Sequence, residues 1–344
     1  MHNNGVTFGV EIELFVVNKD GGLYDLTDAQ RNAISDINTE DKITFEYKAC
    51  QIEVRSNPSS SGQALLIDLQ TTISRIDECL SAWGLATFMG GTHPTGCWKQ
   101  AQSRPDDRYR KIEGRKGDAV KQLLASGLHV HVGTISDPDA QVRRVRQYWP
   151  ITPMLVALTP SSSYWNGSHT DWVSWRRIIL GALDVSVPPL VDTRCEYDDH
   201  IQNLIALDAA DAETDLWVDV RPGRDDLPTV EFRSPDVSPA LEDNVAVAVF
   251  LGAIEWCARQ DHTFLAPSYS CRKVRLIEIS IQLAAKRGMS AKMWNAYDSE
   301  VQPVRDFAAN LLSRVRPGLE ACGNIEWADH LERMIGTTAQ QRAA

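Results

Sequence analysis

Four short stretches of this chain set acidic or imidazole side chains two residues apart among apolar neighbours. Glu11 and Glu13 alternate with Val10, Ile12 and Leu14. Glu53 lies between Ile52 and Val54, and His129 and His131 flank Val130. Glu231 lies between Val230 and Phe232, with Arg233 two positions further on. A period of two is that of a β-strand, so each stretch has one apolar face and one face that can do chemistry. On a single strand this alternation describes a solvated face equally well. Its repetition with Glu and His, in place of Lys and Thr, favours a site. If the strands join one sheet, Glu11, Glu13, Glu53, His129, His131, Glu231 and Arg233 share a side. Carboxylates gathered in this way repel by roughly 4 kcal/mol per pair at ~4 Å and an effective dielectric of ~20. Bound cations, shared protons or nearby arginines must offset that repulsion. Oxygen-rich ligand sets suit hard ions such as Mg²⁺ or Mn²⁺.

The elements that would position these residues can be read from periodicity. Strands are expected at Phe8–Val17, Cys50–Asn57, Leu128–Gly133, Leu216–Arg221 and Thr229–Ser234. The last two are joined by PGRDDLP, a turn-rich string suited to a hairpin. Helical spacing covers Gln63–Trp83, and also Asp139–Leu158 with an interruption at Pro150 and Pro153. Leu241–Arg259 reads as a buried helix and Arg275–Arg287 as another, stopped by Gly288. Further helices are expected at Ala291–Leu312 and Ile325–Ile335, with a frayed tail, TTAQQRAA. Without βαβ repetition, internal repeat or linker, the expected architecture is α+β. It is a single domain over residues 1–344, a mainly antiparallel sheet with helices packed on one face. Its core covers about 7–290, followed by a helical region at about 291–336.

Composition excludes other classes. Of 344 residues, 46 are acidic and 35 basic, giving a formal net charge of −11. That balance argues against nonspecific nucleic-acid binding and against a polybasic membrane anchor. The longest apolar run, Val245–Ala258, is too short to span a bilayer and contains Glu255. The amino terminus lacks the pattern of a signal peptide. Seven cysteines at wide spacings with no CxxC suit reduced thiols in the cytoplasm. No GxxxxGK[ST], GxGxxG or GxSxG occurs, so any nucleotide must be held through metals and arginines on the sheet.

Eight strings occur in a recognisable order: FGVEIELFVV, QIEVRSNPSS, GGTHPTGCW, DDRYRKIEG, SGLHVHVG, ALTPSSSYWNGSHTDWVSWR, DLWVDVRP and PTVEFRSPD. Together they resemble glutamate–cysteine ligase family 2, the carboxylate–amine ligases, over about residues 7 to 290. The resemblance implies a glutamine synthetase-like fold, a curved antiparallel sheet forming a funnel with helices on its outer face. It implies ATP and Mg²⁺, and activation of a carboxylate as an acyl phosphate. Attack by an amine then gives an amide, ADP and phosphate. In the best-known members the acid is glutamate, through its γ-carboxylate, and the amine is that of cysteine. The partners implied are a glutamate-like carboxylate and an amine or amino-acid acceptor, with no nucleic acid or membrane; a homo-oligomer is compatible with this.

By match to the family motifs, Glu11, Glu13, Glu53, His129 and Glu231 are the expected Mg²⁺ ligands. Arg233 and Glu53 are the expected catalytic residues. Arg233, with Arg221 and His131, would contact nucleotide phosphate; a salt bridge to Asp219 or Glu231 is the other reading of Arg221. Thr92, His93, Arg108, Tyr109, Trp165, Asn166 and Arg176 are the expected substrate contacts. The chain departs from the family pattern at one place. Members often carry an Asn-Arg pair where this chain has Ser280 and Ile281, and Arg272, Lys273 or Arg275 would have to substitute. The implied activity is an amide-forming ligase. The alternatives are glutamate–cysteine ligase proper and a catalytically degenerate ligand-binding member.

Overall fold

The alternating stretches pair with one another in the computed structural model, which describes residues 5–134, 136–183, 187–224 and 227–337. The strands, in chain order, are β1 (Phe8–Asn18), β2 (Ile43–Phe45), β3 (Gln51–Arg55), β4 (Leu85–Phe88), β5 (Leu128–Gly133), β6 (Tyr164–Trp165), β7 (Ser168–His169), β8 (Val220–Pro222), β9 (Thr229–Phe232), β10 (Lys292–Asn295) and β11 (Glu300–Pro303). Among the described residues, seven form one sheet in the order β2-β3-β1-β5-β9-β8, with β4 paired to the far end of β1. Every pairing in it is antiparallel.

The two faces of this sheet differ as the alternation requires. Phe8, Val10, Ile12 and Leu14 of β1 are fully buried, whereas Glu11 and Glu13 are only partly so. The apolar face packs on two helices, Gly62–Ser81 and Leu241–Gln260. The first is capped by Ser61, whose hydroxyl accepts from the amide of Ala64. The second is buried on every side from Asn244 to Glu255, so its hydrophobicity lacks the usual periodic stripe. It approaches the sheet closely at Gly252, where a Cβ would lie 2.7 Å from Cδ1 of Phe8. One apolar core runs from Val6 to Ile335 and takes in both helices.

Two elements differ from expectation. The helix expected at Ala291–Leu312 is a hairpin, β10 and β11, followed by a helix at Val304–Ala321. Pro303 lacks the N–H that a continuous helix would need there, and stands instead at the N-cap. The strand expected at Leu216–Arg221 forms a regular ladder with β9 only from Val220, although the Arg233 amide still donates to the Asp219 carbonyl at 2.8 Å. The expected hairpin between β8 and β9 is present, although Asp225 and Asp226 at its tip lie outside the described residues, as does the tail from residue 338. The Asp139–Leu158 segment is helical and changes to a 3₁₀ turn at Trp149–Ile151, around Pro150. All seven cysteines are free. No helix among the described residues is long and apolar enough to cross a membrane.

Candidate active site

The register of the sheet builds the site. Glu11 of β1 faces His129 of β5 on one side and Arg55 of β3 on the other. Glu13 faces Glu53. His131 faces Glu231 of β9, which faces Arg221 of β8. Cross-strand partners have their Cβ atoms within about 5.5 Å, so all these heads meet on one face.

His129 Nδ1 lies 3.1 Å from Glu11 Oε2 and 4.0 Å from Glu231 Oε1. Its Nε2 lies 3.8 Å from Glu13 Oε1. His131 Nε2 lies 3.3 Å from Glu11 Oε1. Thr44 of β2 donates to Glu53 at 2.9 Å, and the Gly127 amide donates to Glu13 at 2.6 Å. Three sets have ligand atoms all within 4.8 Å of one another: Glu11, Glu53 and His129; Glu11, His131 and Glu231; and Glu13, Glu46 and Glu53. Glu231 is also gripped by arginines. Arg221 donates to its two oxygens at 2.5 and 3.1 Å, and Arg233 donates to Oε1. A carboxylate has about four acceptor sites, so these three bonds leave room for one more partner.

A cavity of about 320 Å³ opens over this face. Glu11, Glu13, Glu53, His129, Arg221 and Arg233 line it, together with Arg108, Tyr109 and Arg176. Phe45, Tyr47 and Trp217 also line it. Tyr47 and Tyr109 meet edge to face at 5.1 Å.

Burial and crowding set the protonation of the cluster. Burial pushes Glu13 up to about 7 against the pull of Arg176, and the Glu53 charge adds to the rise. Glu46 rises to about 7 through burial and the charge of Glu13. Burial, with Glu11 and Glu46, holds Glu53 well above the usual range. Burial also acts against the charge of Glu11, but hydrogen bonds from His129 and His131 outweigh it and hold that carboxyl well below its usual value. Burial, with Arg233, lowers His129 to about 4, leaving a neutral imidazole whose lone pair can take a cation. Three carboxyls raised together are the mark of acids brought close with too little counter-charge, Arg55 beside Glu53 and Arg176 near Glu13 notwithstanding.

Similarity to known proteins identifies the family and the fold in which this arrangement stands. The family model of glutamate-cysteine ligase family 2 covers residues 7–342. The chain belongs to that family. A protein from Jannaschia sp., provisionally named glutamate–cysteine ligase 2, is 29% identical over 98% of this chain and 88% of its own length. A counterpart of the same provisional name from Thermobifida fusca is 27% identical over 96% and 83%. The fold is shared with a glutamate–cysteine ligase of Francisella tularensis, solved in complex with AMP, at a TM-score of 0.69 and 13% identity over 96% of this chain and 82% of that one. It is also shared with a bifunctional glutathione synthetase of Pasteurella multocida, at a TM-score of 0.69 and 14% identity over 99% and 49%. This family member therefore has the mainly antiparallel sheet with packed helices that its motifs imply.

The remaining candidate residues fall in different places. His131 and Glu231 sit beside Glu11, behind the residues that line the cavity. Arg221 pairs with Glu231; Asp219 is taken by Arg177 and Trp149. Thr92, His93, Trp165 and Asn166 lie outside the cavity lining, and His93 and Trp165 pack at Phe15, the next residue after Glu13 on that face of β1. His93 packs edge-on to Phe15 and Phe88 at 6.0 and 5.2 Å. Thr92 donates to the Tyr164 carbonyl, Trp165 joins the Phe15 cluster, and Asn166 accepts from the Trp98 amide. Ser280 and Ile281 are buried, the serine accepting from the Trp294 amide. Arg272, Lys273 and Arg275 begin the same helix, and none of them lines the cavity. Glu46 was not expected from the sequence. The signal for it is Thr44 and Glu46 alternating with Ile43, Phe45 and Tyr47.

Proposed function

We propose that this chain is an ATP- and Mg²⁺-dependent carboxylate–amine ligase. It would join a glutamate-like side-chain carboxylate to an amine through an acyl phosphate, releasing ADP and phosphate, with the whole chain acting as one catalytic unit. The observation that carries the proposal is the set of three overlapping ligand groups on one sheet face, beside Arg221 and Arg233. Their donors are carboxylate oxygens with one imidazole per group at most, the chemistry of a Mg²⁺ or Mn²⁺ site. The raised carboxyls of Glu13, Glu46 and Glu53 fit the same conclusion, since a divalent cation supplies the charge they lack.

Glu11, Glu13, Glu46, Glu53 and His129 would hold the metal, with His131 and Glu231 completing a second group. Bound Mg–ATP supplies the phosphoryl group and the positive charge that neutralises its oxygens. The protein's own residues do the rest. Arg233 presents a guanidinium at the cavity, anchored by Glu231, and can follow charge developing on a transferred phosphoryl group. Arg221 holds Glu231 in register from the far side. The aromatic wall of Tyr47, Tyr109 and Trp217 excludes water, which would otherwise hydrolyse an activated acyl group. Arg108 and Arg176 offer cations to an amino-acid carboxylate. The Francisella tularensis relative was solved with AMP, and an adenine nucleotide is the phosphoryl donor proposed here.

The test is ADP release by the purified protein supplied with Mg–ATP, L-glutamate and a panel of amines that includes cysteine. Release should require both acid and amine, with a matching amide detected by mass spectrometry. No ADP from any acid–amine pair would sink the ligase reading.

A further inference from the structure

Asp236 follows β9 and is 1% exposed, with no place in the cavity lining. It nevertheless collects three donors from two separate loops. Ser162 Oγ donates to Oδ2 at 2.6 Å, the Ser161 amide donates to the same atom at 3.2 Å, and Ser174 Oγ donates to Oδ1 at 2.9 Å. The Ser162 hydroxyl has one proton and two lone pairs. With the proton committed to Asp236, a lone pair is free to accept from the backbone amide of Arg176, at 3.0 Å. Asp236 thereby decides which way that hydroxyl points, and through it fixes the backbone of Arg176.

Arg176 lines the cavity, and the charges of Glu13 and Asp236 act on it without either carboxylate closing a direct ion pair. It is 4% exposed and forms no ion pair among the described residues. Its guanidinium donates to three carbonyls, those of Ser234 at 3.2 Å, Pro235 at 3.1 Å and Arg233 at 3.1 Å. A guanidinium has five N–H donors, so two remain, the number that a carboxylate takes in a bidentate pair. A buried cation without a direct ion pair is costly to a fold, and a lining position is where an incoming anion offsets that cost.

We propose that Asp236 is a positioning residue that fixes Arg176 as the receptor for a substrate carboxylate. The ligase reading enters only in choosing glutamate as the probe. The arrangement acts on binding: Ser162 relays the position of Asp236 to the Arg176 amide, whereas Ser174 bonds Asp236 equally well but makes no hydrogen bond to Arg176 among the described residues.

Isothermal titration of L-glutamate into the full chain tests this, beside Asp236→Asn, Ser162→Ala, Ser174→Ala and Arg176→Gln, each with its melting temperature. Asp236→Asn and Ser162→Ala should each raise the glutamate Kd about tenfold or more, the loss of one charge-linked hydrogen bond. Arg176→Gln should abolish binding, and Ser174→Ala should leave the Kd within about twofold of the parent while losing a comparable hydrogen bond. Should Asp236→Asn fail to fold, Ser162→Ala against Ser174→Ala carries the comparison alone. Unchanged affinity in Ser162→Ala, an equal loss in Ser174→Ala, or a parent protein that does not bind glutamate overturns the proposal. A parent that binds glutamate through Arg176 yet releases no ADP with any amine loses the ligase reading and keeps this one.

Discussion

Glu13 and Glu53 stand directly opposite each other in the β1–β3 ladder. Like charges in that position destabilise a sheet, and the site meets the conflict by keeping protons. Glu13 moves from the ordinary 4.5 to about 7, chiefly through burial. Between these two values the folded protein holds a proton that the unfolded chain has lost. Stability of the metal-free protein therefore falls as pH rises through that interval, since the native state binds more protons there. A cation must displace those protons. Its affinity should rise by up to about tenfold per pH unit below about 7 for each proton released. Mg²⁺ titrations at pH 7 in two buffers of different ionisation enthalpy should give different heats, and Mg²⁺ should raise the melting temperature more at pH 8 than at pH 5.5. Equal heats in both buffers would exclude shared protons at the site.

Glu53 and Glu231 are both expected to be essential, yet for opposite electrostatic reasons. Glu53 is an acid among acids, hydrogen-bonded by Thr44 and flanked by Glu13 and Glu46. Glu53→Gln should abolish ADP release while leaving the melting temperature unchanged or higher, because it removes a repulsion. Glu231 is 1% exposed and is the counter-ion of Arg221 and Arg233. Glu231→Gln should abolish ADP release as well and destabilise the fold by about 3–5 kcal/mol, the cost of leaving buried charge unmatched. Urea melts separate the two. A Glu231→Gln protein as stable as its parent would show that the arginines do not depend on that carboxylate.

Gly127 tests the seat of Arg176. A Cβ placed there would lie 2.1 Å from Nη2 and 2.7 Å from Cζ of Arg176. Its φ is not in the left-handed region, so alanine is acceptable to the backbone and the collision alone decides the outcome. The guanidinium, pinned by three carbonyls, would be driven off them. Gly127→Ala should cost about 1–3 kcal/mol of stability and weaken L-glutamate binding at least about tenfold, as read by melts and calorimetry. Unchanged binding would place the acid elsewhere in the cavity.

What the sequence shows of this site follows from strand length. β1 and β5 are long enough for two-residue alternation to stand out, so Glu11, Glu13, His129 and His131 declare themselves. β2 has three residues, and the Thr44–Glu46 alternation is too short to separate from a loop. The helices Asp107–Lys116 and Arg194–Ala206 are equally hard to read. The first buries only Ile112 and the second only Tyr197 and Ile201, so neither shows an apolar stripe. The β10–β11 hairpin misleads in the other direction, since Met293, Ala296 and Val304 fall close to helical spacing and only Pro303 objects. Arg176 could be proposed from its motif. Its dependence on Asp236, sixty residues away, comes from loop packing that no local pattern encodes.

The strongest expectation about stability lies behind the sheet, at Glu255. This carboxylate is fully buried in the helix Leu241–Gln260. The Tyr148 hydroxyl donates to it, Arg144 Nε lies 3.1 Å from Oε2, and Arg259 Nε lies 3.1 Å from Oε1. Arg259 goes on to the Gly133 carbonyl at 2.8 Å, at the end of β5. One acid thus satisfies two arginines and a phenol, and ties its helix to the strand that carries His129 and His131. Glu255→Ala leaves both cations without an anion and opens a void, and should cost about 3–5 kcal/mol. Glu255→Gln keeps the shape and one acceptor, and should cost less. Neither residue reaches the cavity, so in whatever fraction remains folded the Kd for Mg²⁺ should stay within about twofold of the parent, below the 0.5 kcal/mol at which distant sites cease to be independent. A large Mg²⁺ effect without a stability effect would mean that the helix and the metal face are coupled through β5 in a way that packing alone does not provide.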